Sequence, residues 1–188
     1  MAPEIPHPLP PPPSGCWYRL GRDFSRLREV KGWGRLRTLG DVLLFDSGFQ
    51  ALILHRFAHA LVGAGVPALP ALLRRLSIAL CSIDILPRAQ IGGGCLIAHG
   101  LGIVIGGTGR LGEDCTLLHG VTLGEARFDE LDCPHVGDRV TLGARATLLG
   151  GIVIGDDAMV AAGSVVLKDV PPGATAAGVP AKILDGED

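Results

Sequence analysis

The chain has 188 residues, 47% of them hydrophobic, and a formal net charge of −2. That is the length of one domain with ample apolar material for a buried core, which excludes a disordered or fibrous chain. It also excludes a global cationic field for holding nucleic acid or an anionic membrane, so the expected ligand is a small molecule.

Residues 1–14 contain seven prolines, including the run from Pro10 to Pro13, and read as a solvated, disordered extension. No basic segment followed by an apolar stretch opens the chain. The most apolar run, residues 42–66, is interrupted by Asp46, Arg56 and two histidines, so neither export nor membrane spanning is expected. Five cysteines (Cys16, Cys81, Cys95, Cys115, Cys133) form an odd set without CxxC spacing, which favours a reducing cytoplasm.

Residues 15–83 read as a helical region. From Asp41 to Cys81 apolar residues recur at three- and four-residue spacing: Leu44, Phe49, Leu52, Leu54, Phe57 and Leu61, then Leu72, Leu73, Leu76 and Leu80. Asp46 or Ser47 is placed to cap one helix, and Pro67 with Pro70 mark the break before the next.

At Ile85 the period changes to six. One residue in six reads Ile85, Ile91, Ile97, Ile103, Gly109, Cys115 and Val121, then Val136, Leu142, Leu148, Ile154, Val160 and Val166. Eleven of these thirteen are Ile, Leu or Val, and small residues such as Ala89, Cys95, Ala146 and Ala158 recur four places later. Hexads of this kind predict a parallel β-helix over residues 84–172. Each hexad supplies a short strand and a turn, and three hexads complete a coil that buries its face on the next. The fifteen-residue interval from Val121 to Val136 predicts an extruded surface loop at about residues 125–135, the usual place for ligand contacts. Residues 173–188 read as a C-terminal tail.

Three segments carry a resemblance to a known family: Asp84-Ile85-Leu86-Pro87, the stretch "IAHGLGIVIGGTGRLGEDCTLLHGVTLGE" from Ile97 to Glu125, and the stretch from Val136 to Leu184 ending in "AAGVPAKIL". Together with "FDSGFQALILHRFAHAL" in the helical part, these resemble the serine acetyltransferase family. The resemblance implies a left-handed β-helix, acetyl-CoA as acyl donor, no metal, and homotrimers with active sites between adjacent prisms. His99 falls on the family's catalytic histidine and Asp84 on its aspartate partner. The chemistry fits these residue types: an imidazole titrating near neutrality removes the acceptor's hydroxyl proton, and a carboxylate fixes its tautomer. The family pattern puts CoA at the positions of Gly124, Ala144 and Ala162, with Lys168 as a phosphate partner; small residues permit close approach, and lysine neutralises phosphate.

The acceptor end departs from the pattern. Leu86 stands for a histidine, Ala98 for an acidic residue that helps hold the amino-acid acceptor, and Asp132 and Cys133 for an arginine and a histidine. An arginine binds a carboxylate bidentately, whereas Asp132 repels it; Arg127 is the candidate substitute within the loop. With Glu125, Asp129 and Glu130 the loop is acidic and better suited to an amine-bearing or neutral acceptor. The alternatives are therefore the same fold acting on another alcohol or amine, a metal-dependent hydratase using His99, His119 and His135, and a non-catalytic scaffold. The C-terminus lacks the family's terminal isoleucine, so a sulfhydrylase complex is not expected.

Overall fold

The computed structural model describes residues 15–32, 40, 45–127, 129 and 131–184. The proline-rich segment, Leu44, Glu130 and the terminal residues 185–188 lie outside the described residues.

Among the described residues, α1 (Cys16–Lys31), α2 (Ser47–Gly63) and α3 (Leu69–Cys81) precede the short strands β1 (Asp84–Ile85) through β15 (Ala181–Leu184). Asp46 caps α2 by accepting the Phe49 N–H at 2.9 Å, and Pro70 sits in the first turn of α3. Up to β13 every third strand pairs in parallel, giving faces of order β1-β4-β7-β10-β13, β2-β5-β8-β11 and β3-β6-β9-β12; β14 adds to the third face in parallel with β12, and β15 returns antiparallel on β14. This is a left-handed, three-sided β-helix. Most strands are two residues long, the second turned inward, so the prism is filled by a ladder including Ile85, Ile91, Leu111, Leu117, Leu142, Leu148 and Ile154. No coil closes a core alone; stacking supplies the apolar neighbours.

The six-residue phase differs from the sequence reading in the second coil. The inward residues there are Ile105, Leu111 and Leu117, followed by Leu123 at the start of the third coil, and the column Ile103, Gly109, Cys115 and Val121 lies two residues earlier, at the corners. From Ile97 to Ile105 is eight residues instead of six, so two extra residues sit in the corner that carries His99. The slip is hidden because corner positions are also buried, Ile103, Cys115 and Val121 completely. It also shortens the extruded excess, since the inward residues flanking the loop are Leu123 and Val136, thirteen apart.

The helices pack against the first coils. Gly48 of α2 lies so close to Ile97 that an added Cβ would meet the Ile97 Cβ at 2.8 Å, and Ser47 Oγ donates to the Gly100 carbonyl at 3.1 Å. Between α1 and α2, the buried Arg56 guanidinium meets the buried Asp23 carboxylate at 3.1 Å and also donates to the Ile91 and Gly92 carbonyls. Among the described residues no helix is long and apolar enough to cross a membrane.

Candidate active site

The three edges of the prism have different chemistry. On the edge leading from the third face back to the first, successive coils are joined by Gly120 N–H to Leu101 O, Arg145 N–H to His119 O and Gly163 N–H to Ala144 O, each 2.8 Å. His99 therefore heads a column that continues through His119, Ala144 and Ala162. At about 4.8 Å per coil, Ala162 lies three coils and about 14 Å beyond His99. Positive φ values recur along this column, at His99 (55°), Gly120, Arg145 and Gly163. The left-handed conformation of His99 is thus corner geometry shared by several coils, not isolated strain.

His99 is exposed, and its ring makes no hydrogen bond among the described residues. It opens on a cavity of about 420 Å³ bounded by Ala98 on its own corner, Ser47 and Gly48 of α2, Leu27 and Lys31 of α1, and Asp46. The start of β1 lies directly over this corner: Gly102 N–H donates to Ser82 O at 2.8 Å, and Asp84 pairs in register with Val104. The Asp84 carboxylate is engaged by Arg74 of α3 in a bidentate bridge, 2.6 and 2.7 Å. Asp84 and His99 thus share one end of the prism, with the carboxylate held by Arg74 rather than by the imidazole.

The loop between β7 and β8 leaves from a different edge, the one joining the first face to the second. Arg127 pairs with Asp129 at 3.1 Å, both largely exposed. Cys133 is buried: its N–H donates to Thr108 Oγ1 at 2.9 Å, and its sulfur packs on Gly106. It anchors the loop's return to the prism. Asp132 is exposed beside Gly151. Gly124, which ends β7, and the exposed Lys168 lie on this edge too. Within one chain, then, His99, Ala98, Ala144 and Ala162 are gathered along one edge, whereas Arg127, Asp132, Cys133, Gly124 and Lys168 stand on another.

His119 follows His99 on the same edge, but His135 is on β8 of the second face. Among the described residues no three His, Cys, Asp or Glu side chains gather as a metal-binding group. All five cysteines are free, and burial pushes the Cys115 thiol up to about 12, where it is a packing group and not a nucleophile.

Sequence reasoning did not find Arg74, Lys31 or an Asp46 contribution beyond capping. Arg74 and Asp84 are ten residues apart across a helix-to-strand junction, and Lys31 and Asp46 lie on separate elements, so no local period marks either pair.

Comparison with known proteins gives a consistent relationship. Residues 135–168 match the family model of the hexapeptide repeat of succinyl-transferase. The serine acetyltransferase of Helicobacter pylori strain J99 is 43% identical over 88% of this chain and 97% of that protein. That of Synechococcus elongatus is 43% identical over 77% of this chain, which spans 59% of the longer relative. Among solved structures, soybean serine acetyltransferase complexed with serine superimposes with a TM-score of 0.83 at 38% identity, covering 90% of this chain and 69% of that one. A serine acetyltransferase in complex with CoA gives a TM-score of 0.81 at 36% identity, over 90% of this chain and 69% of that one. With nearly nine-tenths of its length aligned to almost the whole of the Helicobacter enzyme, the chain belongs to the serine acetyltransferase family.

Proposed function

We propose that the protein transfers the acetyl group of acetyl-CoA to the hydroxyl of serine, with His99 as general base. The observation that carries this reading is the position of His99: exposed, without a ring hydrogen bond among the described residues, at the head of the edge that carries His119, Ala144 and Ala162, and facing a cavity. In the reaction the imidazole takes the hydroxyl proton as the oxygen attacks the thioester carbonyl carbon. The tetrahedral oxyanion then collapses, the C–S bond breaks, and the imidazolium returns the proton to the departing thiolate. The products are the O-acetyl ester and free CoA. Asp84, kept in place beside Arg74, is the carboxylate that steadies the imidazolium when its side chain turns toward His99.

Donor binding follows the same edge. Ala144 and Ala162 present little side chain, so an extended pantetheine arm can lie against the backbone of those two coils and pass His119 to reach His99. The loop with Arg127 and the exposed Lys168 stand on a different edge, so a site that uses both sets takes the second set from a neighbouring copy. That supports a homotrimer with its sites between prisms.

Release of CoA from acetyl-CoA, followed with L-serine and with a panel of other alcohols and amines, tests the assignment. Serine-dependent release that falls by orders of magnitude in Asp84→Asn supports it. Absence of release with serine, but release with another acceptor, overturns the serine assignment.

A further inference from the structure

The wall of the cavity facing His99 carries an ion pair that the chemistry above does not use. Lys31 ends α1, and its Nζ lies 2.9 Å from Asp46 Oδ2, with the side chains 25% and 14% exposed. Asp46 is held firmly relative to His99. The other Asp46 oxygen accepts the Phe49 N–H, Ser47 is bonded to the Gly100 carbonyl, and Gly48 is pressed on Ile97, two residues from His99.

The acceptor's charged head needs such a partner. Ala98, where the family pattern has an acid, offers no charge, and the loop position that would bind a carboxylate is the acidic Asp132, on another edge. A cavity of about 420 Å³ has room for a small acceptor and the end of the donor.

We propose that Lys31 and Asp46 form the recognition site for the zwitterionic head of an α-amino acid acceptor, its carboxylate against the Lys31 ammonium and its ammonium against the Asp46 carboxylate. This rests on the proposed function and names the residues that hold its acceptor. Laid antiparallel beside the existing ion pair, the zwitterion completes a ring of four alternating charges. Each group then meets opposite charge on both sides, partly shielded from water by the walls. A head lacking either charge leaves one protein group facing a like charge, so the site discriminates against amino alcohols and hydroxy acids alike.

The test compares L-serine, ethanolamine and 3-hydroxypropanoate as acceptors, by CoA release and by calorimetric binding, in the intact protein and in Lys31→Gln, Lys31→Arg, Asp46→Asn and Arg127→Gln. Asparagine caps a helix as well as aspartate does, so Asp46→Asn removes the charge and leaves α2 capped. Loss of one charged hydrogen bond should raise KM for serine roughly 10- to 100-fold in Lys31→Gln and in Asp46→Asn, with a smaller change in kcat and recovery in Lys31→Arg. The KM for ethanolamine should not rise in Lys31→Gln, and that for 3-hydroxypropanoate should not rise in Asp46→Asn. Serine KM within twofold of wild type in both charge-removing variants overturns the inference, as does a rise confined to Arg127→Gln. If wild type turns over another acceptor and not serine, the proposed function fails separately. The inference then stands if that acceptor is zwitterionic and its KM rises in both variants, and falls otherwise.

Discussion

Removing the Asp23 carboxylate should destabilise the fold severely, because it strands the Arg56 charge between the helices and the first coil. The side chains are 0% and 1% exposed. Asp23 accepts from Arg56 Nε at 3.1 Å, from Nη2 at 3.2 Å and from the Cys95 N–H at 3.0 Å. A buried pair broken on one side costs about 3–5 kcal/mol. At about 2–4 °C per kcal/mol for a chain of this size, Asp23→Ala should lower Tm by about 6–20 °C. The two partners are not equivalent. Burial is the main force holding the Asp23 carboxyl above its usual range, so without Arg56 it can shed its charge by taking up a proton, whereas a guanidinium cannot. Arg56→Met should therefore lose less, though it orphans the Ile91 and Gly92 carbonyls. The double variant should be more stable than Asp23→Ala alone. Calorimetric unfolding of the four proteins reads this cycle. A loss of less than about 1 kcal/mol in Asp23→Ala, or a double variant less stable than that single one, would refute the reasoning.

Gly48→Ala should cost about 1–3 kcal/mol, since its Cβ drives α2 off Ile97. It should also lower kcat/KM by displacing the corner that carries His99. Gly63→Ala at the other end of α2, where a Cβ meets nothing within 4 Å, is the neutral control; equal behaviour of the two would contradict this packing. Stability should also depend on pH through His55. Burial, then the neighbouring charges of Arg56, His59 and Arg19, hold its pKa well below the ordinary value. The folded protein keeps His55 neutral while the unfolded chain binds a proton below about pH 6.5, so stability should fall as pH drops through that value. The slope for one such proton approaches about 1.4 kcal/mol per pH unit. Denaturant midpoints from pH 8 to 5 should show a shallower fall in His55→Phe. That comparison separates His55 from Asp23, whose raised carboxyl acts in the opposite sense; identical slopes in the two proteins would refute the assignment.

The solenoid was legible because every coil must turn an aliphatic residue into the same narrow prism, which imposes a period on Ile85, Ile91 and Ile97 that no loop or helix would keep. The phase was lost at Ile103 because the corner column is buried too, and an isoleucine there satisfies the same pattern as one on a strand. Asp46 was readable as a cap, since capping is local. Its pairing with Lys31 was not, because it depends on how α1 and α2 cross the coil. Arg56 looked like an interruption of an apolar run, yet it is buried against a carboxylate thirty-three residues earlier. His99 and Asp84 came from motif resemblance, whereas the edge each candidate occupies follows only from the stacking. That stacking is what separates Ala144 and Ala162 from Gly124 and Lys168.

Removal of the imidazole tests most directly the proposed role of His99 as the base for acyl transfer. His99→Ala should lower kcat for acetyl-CoA-dependent transfer by roughly two to four orders of magnitude while leaving the unfolding transition in place, because the side chain is exposed and makes no hydrogen bond among the described residues. Turnover near that of wild type in the folded variant would remove His99 from the mechanism.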